Sequence, residues 1–171
     1  MKEILLIGGG GHCNSVIDVI EQEGRFKIVG IIDKKSELIG TKVLGYPVIG
    51  DHSNLQSFKN KYTYAFITIG QIKSPEPRKI LFNLLIKLGY SLPSIFSPRA
   101  YISKHAFVGR GVVVMHDAII NASASIGDNC IINTKALIEH DSKVNEHCHI
   151  STNATINGGA LIESGSFIGS G

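Results

Sequence analysis

The sequence predicts two domains of different fold class, an α/β domain at the amino end and an all-β, left-handed parallel β-helix at the carboxyl end. A strict six-residue period over residues 100–171 predicts the β-helix, whose domain is expected at residues 99–171. Strands alternating with helices, with a glycine-rich turn after the first strand, predict the α/β domain in residues 1–98. Pro93 and Pro98 interrupt regular structure where the two patterns meet, so the boundary is expected after residue 98.

The elements of the α/β domain follow from its apolar runs and its glycines. The first strand is expected at Lys2–Ile7, and the helix after it is expected to start with Asn14 as its N-cap and to stop at Gly24. The second strand, Phe26–Ile32, ends on Asp33. The other predicted elements are a hairpin-like segment at 42–49, a short helix near 51–61, a strand at 64–69 and a helix near 75–88. This alternation predicts a small parallel, Rossmann-like sheet.

The six-residue period is clearest at the third position of each hexad, counted from Ala100. That position holds Ile or Val in every hexad from Ile102 to Ile168, and small residues recur at the first position. Neither a 3.6-residue helix nor a two-residue strand alternation produces a period of six. Three hexads form one turn of a triangular coil whose aliphatic side chains stack inward, about 4.8 Å apart. The period therefore predicts a left-handed β-helix, an exception to right-handed crossovers, rather than a sandwich of strands with variable lengths.

Composition excludes several functional classes. The formal charge of the 171-residue chain is +3, and no basic stripe carries interleaved aromatic residues, so nucleic acid is not an expected partner. The apolar start is too short for a signal peptide or a membrane span, which makes the cytoplasm the expected location. Cys13, Cys130 and Cys148 include no Cys-x-x-Cys pair and are expected to be reduced structural thiols. Cys130 and Cys148 occupy equivalent small positions one coil apart, within reach of a disulfide, but packing explains them without one.

The turn from Gly8 to His12 is predicted to be a phosphate cradle. Its backbone amides are exposed, and the start of the following helix favours an anion. Asp33 ends the second strand, where a contact to a ribose or a base is expected. Cys13 and Asn14 stand where the third glycine of a dinucleotide fingerprint would be, which disfavours a nicotinamide dehydrogenase. A tight turn without a ligand remains the alternative.

The run Glu139-His140-Asp141 places an imidazole beside carboxylates at a corner of the coil. A histidine next to a carboxylate is typical of a general base, because the carboxylate fixes the tautomer and stabilises the imidazolium. Surface corners that simply collect polar residues are the structural alternative. Asn133 either orients a neighbour or caps a corner. No metal site is expected, because metal-ligand spacing is missing among the other histidines of this region, His116, His147 and His149.

In combination, these motifs resemble the bacterial family of sialic-acid O-acetyltransferases and nucleotide-amino-sugar N-acetyltransferases of the NeuD and PglD type. The resemblance covers essentially the whole chain and rests on four features: Gly-Gly-Gly-Gly-His after the first strand, Ile-Asp at the end of the second, Ile67-Thr68-Ile69-Gly70-Gln71, and hexapeptide repeats that carry Asn133-Thr134 and Ile138-Glu139-His140-Asp141. It implies acetyl-CoA as cosubstrate, a nucleotide-activated amino sugar as acceptor, and a homotrimer with active sites between adjacent β-helices.

The resemblance also implies roles for single residues. His140 matches the catalytic base and Asp141 its acidic neighbour. The implied nucleotide-sugar contacts are Gly10, Gly11 and His12 near the phosphates, Asp33 at the base, and Gly70 with Gln71 in a second loop; His149 and Gly158 are implied to line the acetyl-CoA channel. Lys34 stands where some members have a second acid, which leaves the nucleotide open. The family continues beyond the last hexad of this chain, so the domain is expected to be truncated and its coenzyme site incomplete.

The expected reaction is N-acetylation in surface-glycan biosynthesis. His140 would remove a proton from the substrate amine as its nitrogen attacks the thioester, while Asp141 holds the ring. Two alternatives stay open. One is O-acetylation of sialic acid or a related hydroxyl, and the other is a catalytically silent trimeric scaffold.

Overall fold

The computed structural model describes residues 1–171 and divides into two compact units. The first unit comprises Met1–Gly70 and Ile80–Pro93, and the second comprises Gln71–Lys79 and Ser94–Gly171. The expected boundary after residue 98 differs from this division in two ways. The second unit begins at Ser94, and it also includes the segment Gln71–Lys79.

The first unit is built on a five-stranded sheet. Its elements are β1 (Lys2–Ile7), α1 (Gly11–Glu23), β2 (Phe26–Ile32), a 3-10 helix at Ser36–Leu38, β3 (Lys42–Val43), β4 (Tyr46–Gly50), a 3-10 helix at His52–Asn54, α2 (Leu55–Lys59), β5 (Tyr64–Ile67) and part of α3 (Glu76–Lys87). The strand order is β3-β4-β2-β1-β5, with parallel neighbours except for the β3-β4 hairpin. The predicted Rossmann-like α/β fold is confirmed.

The sheet forms because its central strands are apolar on both faces. Ile4, Leu5, Leu6 and Ile7 of β1 are completely buried, as expected for a parallel strand covered on both sides. Helix α1 contributes one apolar face, made of Cys13, Val16, Ile17, Val19 and Ile20. Burial of this face against the sheet stabilises the unit.

Helix α1 begins earlier than the sequence analysis expects. Gly10 is its N-cap, and Asn14 lies exposed within the helix. The chain leaves β1 through Gly8, whose φ of 114° favours glycine and whose Cα lies so close to Ile69 that a Cβ would be 2.3 Å from its Cγ2. The predicted N-cap at Asn14 is therefore wrong, because the glycines let the chain turn directly into the helix without a side-chain cap.

The second unit is a left-handed parallel β-helix, as predicted. Its two-residue strands are β6 (Ile95–Phe96), β7 (Tyr101–Ile102), β8 (Phe107–Val108), β9 (Val113–Val114), β10 (Ile119–Ile120), β11 (Ser125–Ile126), β12 (Ile131–Ile132), β13 (Leu137–Ile138), β14 (Lys143–Val144), β15 (His149–Ile150), β16 (Thr155–Ile156), β17 (Leu161–Ile162) and β18 (Phe167–Ile168). Each strand pairs with the strand one coil away, which gives three sheets ordered β7-β10-β13-β16, β8-β11-β14-β17 and β6-β9-β12-β15-β18.

The core of the β-helix contains the residues that the period selects. Third-position side chains such as Ile120, Ile132 and Ile138 are fully buried and pack in one cluster. The small first-position residues join this cluster, including Cys130 and Cys148, which are free thiols. The packing role predicted for these two cysteines therefore holds.

The coil starts one hexad before Ala100. Strand β6 pairs in parallel with β9, so that Ile95 lies opposite Val113 and Phe96 opposite Val114. Residues 94–99 thus form an additional hexad whose third position is Phe96. An aromatic residue at that position breaks the Ile/Val pattern, which explains why the period did not reveal this hexad.

The corners of the β-helix depend on left-handed backbone conformation. The sixth residue of each hexad has a positive φ from Gly111 to Gly171, including Asp141 at 58° and Asn153 at 61°. Glycine, asparagine and aspartate adopt this conformation more readily than other residues do, and they predominate here.

None of the helices has the length and apolar character that crossing a membrane requires.

Candidate functional site

The first candidate site lies at the carboxyl edge of the sheet, between β1 and β5. The chain passes from β1 to β2 on one side of β1, whereas β5 pairs with β1 on the other side. The strand order therefore reverses at β1, and open α/β sheets bind ligands at such a point. Thr68 Oγ1 donates to the Gly8 carbonyl at 2.5 Å and joins the two loops. Gly70 lies beside His12, because a Cβ at Gly70 would be 3.7 Å from the His12 Cβ.

Gly10 and Gly11 leave the start of α1 open. A Cβ built on either glycine meets no atom within 4 Å, and both residues are exposed. Backbone amides at the start of a helix bind anions when no side chain covers them. The structure thus brings four of the predicted nucleotide residues, Gly10, Gly11, His12 and Gly70, to one edge of the sheet.

Asp33 shapes the glycine loop. Its Oδ2 accepts a hydrogen bond from Gly9 N at 2.7 Å, and its Oδ1 accepts one from Lys35 N at 2.9 Å. Each carboxylate oxygen can accept a further hydrogen bond, so a contact to a ligand remains open. The sequence analysis missed this structural role, because spacing alone does not show a contact between Gly9 and Asp33.

Gln71 lies in a different environment from Gly70. It belongs to the second unit, is 2% exposed, and donates from Nε2 to the His147 carbonyl at 2.8 Å. Its backbone carbonyl accepts a hydrogen bond from His149 Nδ1 at 2.5 Å. Its predicted role in nucleotide binding remains a prediction.

The second candidate site is the corner that carries His140. Ala122, His140 and Gly158 occupy the same hexad position in three successive coils, so small residues flank the imidazole on both sides. The His140 Nδ1 and the Asp141 Oδ2 are 2.7 Å apart, and both side chains are 66% exposed. Because an ionised carboxylate only accepts hydrogen bonds, Nδ1 carries the proton and Nε2 is the atom that can take up another.

Two carboxylates surround this imidazole. The hydrogen bond from His140 to Asp141, and the charge of that carboxylate, raise the pKa of His140, and the charge of Glu139 adds to the effect. Glu139 is held by Asn121, whose Nδ2 donates to its Oε2 at 2.9 Å. The sequence analysis singled out His140 and Asp141, but it did not find the contribution of Asn121, which lies one coil away.

Gly158 leaves space beside the Nε2 side of the imidazole. A Cβ on Gly158 would lie 3.0 Å from both Cε1 and Nε2 of His140. Its φ is not positive, so glycine is required at this position by space and not by backbone conformation. The structure therefore brings together His140, Asp141 and Gly158.

His149 lies in a buried polar cluster of the second unit. It is 6% exposed, donates from Nδ1 to the Gln71 carbonyl, and approaches Asn133 Nδ2 with its Nε2 at 3.1 Å. Burial lowers the pKa of His149, so the ring is neutral and its Nε2 accepts from Asn133. Neither His140 nor Gly158 is a hydrogen-bond partner of the His149 ring.

The sequence analysis missed the buried cation of this cluster, Arg78. It is fully buried, its Nη2 donates to Asn129 Oδ1 at 2.8 Å, and burial lowers its pKa to about 10. The Asn129 Nδ2 lies 3.0 Å from His147 Nδ1. The sequence does contain a signal for the burial of Arg78. This residue is separated by helical spacing from Leu81, Phe82 and Leu85, which are buried. No group of three or more His, Cys, Asp or Glu side chains in the chain could hold a metal ion.

Comparison with known proteins identifies relatives of both units. A family model described as the PglD N-terminal domain matches residues 3–84. A solved histidine-to-asparagine variant of perosamine N-acetyltransferase from Caulobacter crescentus, in complex with CoA and GDP-perosamine, is 31% identical. The alignment covers 94% of this chain and 74% of that chain, with a TM-score of 0.87. No curated protein sequence matched the chain.

Two further structures are similar over nearly the whole chain. The acetyltransferase domain of PglB from Neisseria gonorrhoeae FA1090, in complex with acetyl coenzyme A, is 27% identical over 99% of this chain and 85% of that chain, with a TM-score of 0.79. WeeI from Acinetobacter baumannii AYE is 19% identical over 94% of this chain and 88% of that chain, with a TM-score of 0.57. The likeness to WeeI concerns the fold alone.

Proposed function

We propose, because this chain belongs to the NeuD/PglD-type family of hexapeptide-repeat acetyltransferases, that it transfers an acetyl group from acetyl-CoA to the amino group of a nucleotide-activated amino sugar. The similar enzyme from Caulobacter crescentus was solved with CoA and GDP-perosamine, and the similar PglB domain with acetyl coenzyme A. A role in surface-glycan biosynthesis is part of the proposal.

The geometry of His140 is the observation that carries this function. Asp141 holds Nδ1, so the lone pair of Nε2 is available on a surface where Gly158 leaves space. The hydrogen bond to Asp141 and the charge of that carboxylate raise the pKa of His140, which makes its imidazole a stronger base. A silent scaffold would not require this arrangement.

His140 acts as a general base in the proposed mechanism. Acetyl-CoA, when bound, supplies the acetyl group as a thioester with an electrophilic carbonyl carbon. As the amine nitrogen of the sugar forms its bond to that carbon, His140 Nε2 takes up the proton that the nitrogen loses. Asp141 stabilises the imidazolium that results, and the imidazolium can return the proton to the departing sulfur.

The proposed acetyl-CoA contacts are Gly158 and His149. Gly158 fits this role, because a side chain at that position would fill the space beside His140 Nε2. His149 is buried, and its ring is fixed by Gln71 and Asn133. It would therefore contribute to the acetyl-CoA contact by holding Asn133, which is only partly buried. No metal takes part in the proposed mechanism.

The proposed nucleotide contacts are the residues at the carboxyl edge of the first sheet. The open amides of Gly10 and Gly11 and the adjacent His12 would hold the phosphates, with Gly70 beside His12. Asp33 would accept a hydrogen bond from the ribose or the base. Gln71 completes the proposed set; its side chain is buried and donates to the His147 carbonyl.

We also propose that the protein is a homotrimer. The outer face of the sheet β7-β10-β13-β16 carries a column of apolar side chains, with Tyr101 58% and Ile119 38% exposed and Leu137 partly buried. His140 lies two residues after strand β13 of this sheet. Burial of such a column against another copy of the chain is favourable. We place the enzyme in the cytoplasm, where acetyl-CoA and nucleotide sugars are made.

Release of free CoA tests the activity directly. We would incubate the protein with acetyl-CoA and with UDP-, GDP- or CMP-linked amino sugars, and follow the free thiol over time. Matched sugars with a hydroxyl in place of the amine distinguish O-acetylation from N-acetylation. CoA release with an amino sugar supports the proposal. Release only with the hydroxyl sugars would replace it with O-acetylation. No release with any acceptor would favour the catalytically silent scaffold.

A further inference from the structure

Three loops lie in a row along the carboxyl edge of the first sheet. In the strand order β4-β2-β1, the loop after β2 lies between the loop after β4 and the glycine loop after β1. Asp33 N donates to the Gly50 carbonyl at 3.1 Å and ties the ends of β2 and β4 together. With neighbouring strands about 4.8 Å apart, the three loops span roughly 10 Å, which is comparable with the extent of a nucleotide from phosphate to base.

The loop after β4 presents His52. This residue begins the 3-10 helix His52–Asn54, and Asp51 caps that turn: its Oδ1 accepts from Ser53 N at 2.9 Å, while its N donates to Asn54 Oδ1 at 2.9 Å. These reciprocal hydrogen bonds form a capping box and fix the backbone on both sides of His52. The imidazole is partly buried and therefore partly accessible to a ligand.

The surroundings of His52 favour the neutral form of its ring. Burial lowers the pKa of His52, the charges of Asp33 and Asp51 raise it, and the charge of Lys34 lowers it. His52 and Asp33 lie in adjacent loops, which the hydrogen bond from Asp33 N to the Gly50 carbonyl holds together. A neutral aromatic ring provides a face on which a base can stack.

We propose that His52 contacts the nucleobase of the nucleotide sugar and contributes to the choice of base. This inference rests on the proposed function. With the phosphates at Gly10 and Gly11 and with Asp33 beside the ribose or the base, the third loop of the row is left for a further contact to the base, and His52 is the aromatic side chain which that loop offers.

Isothermal titration of the full chain with GDP, UDP and CMP tests this contact. In His52→Ala, the dissociation constant of the preferred nucleotide should rise about tenfold, which is typical for loss of one stacking contact. The ratios of the three dissociation constants should also change, because only a residue that touches the base distinguishes the bases. His52→Phe keeps a ring and should retain most of the affinity.

Two control variants make the test selective. His105→Ala removes an exposed histidine of the β-helix and should change no nucleotide affinity. Gly11→Val obstructs the phosphate side and should weaken all three nucleotides by similar factors. A dissociation constant for His52→Ala within about twofold of the wild type, or a uniform rise for all three nucleotides, would overturn the contact. If the wild type binds none of them, the nucleotide part of the proposed function fails and the contact fails with it.

Discussion

Gly158 lies directly over the imidazole of His140, one coil further along the β-helix. A Cβ on Gly158 would be 3.0 Å from His140 Nε2, which is closer than two such atoms normally approach, whereas the other ring nitrogen is held by Asp141 at 2.7 Å. The ring is therefore anchored on one side and has room only because the next coil carries a glycine.

Gly158→Ala should displace the His140 ring and lower kcat by about 10- to 100-fold, as expected when a catalytic group is misplaced. The melting temperature should change little, because Gly158 is exposed and the side chain that must move is exposed as well. Gly169→Ala is the matched control, since a Cβ there meets nothing within 4 Å and its φ is not positive. Equal rates for the two variants would contradict the role of Gly158.

His140→Ala should lower kcat by roughly 10²- to 10⁴-fold, the usual contribution of a positioned acid-base group. Affinity for acetyl-CoA and for the sugar should change much less, because the loss concerns the transition state. Raising the pH deprotonates the substrate amine in solution and should rescue part of the rate. Steady-state kinetics would show this, with His105→Ala as the control for an exposed histidine. Near wild-type kcat at neutral pH would remove His140 from the mechanism.

Asp141→Asn should shift the acidic limb of the pH profile of kcat/KM to lower pH. The neutral imidazole is the active form, and Asp141 raises the pKa of His140, so activity is lost as the pH falls through that raised value. Without the carboxylate, the limb should move toward the ordinary histidine pKa of roughly 6.5. Asparagine tolerates the positive φ at this corner.

Glu139→Gln provides the matched comparison for Asp141→Asn. It removes one neighbouring charge whose effect on His140 is the smallest of the contributions, so its acidic limb should move less. The rate of Asp141→Asn should also fall less than that of His140→Ala, since the proton acceptor remains in place. If the limb of Asp141→Asn stays where it is in the wild type, Asp141 does not set the pKa of the catalytic base.

The wild type should have a mass three times that of its 18.4 kDa chain in light scattering at micromolar concentration. Ile119→Lys places a charge in the apolar column of the sheet β7-β10-β13-β16 and should shift the mass toward that of the monomer. Phe107→Lys alters an even more exposed apolar residue on a different sheet and should leave the trimer intact. A monomeric wild type, or equal dissociation of both variants, would contradict the proposed interface.

The sequence by itself determined the β-helix and the position of the corner that carries His140 and Asp141. Each hexad repeats the same local requirements, namely an inward aliphatic side chain, a small first residue and a corner, so one period specifies the contacts of every coil. His140 and Asp141 are adjacent in the chain, and their hydrogen bond needs no distant segment. The parallel α/β sheet was likewise evident, because its buried strands are continuous apolar runs.

Only the tertiary structure decided the features that depend on residues far apart in sequence. The chain reaches the N-cap of α1 at Gly10 through Gly8, which packs against Ile69, and the hydrogen bond from Gly9 to Asp33 joins two different loops. The assignment of Gln71–Lys79 to the second unit comes with hydrogen bonds from Gln71 to His147 and from Arg78 to Asn129. Such contacts form between segments that local propensity does not relate, so they become visible only when the chain is folded.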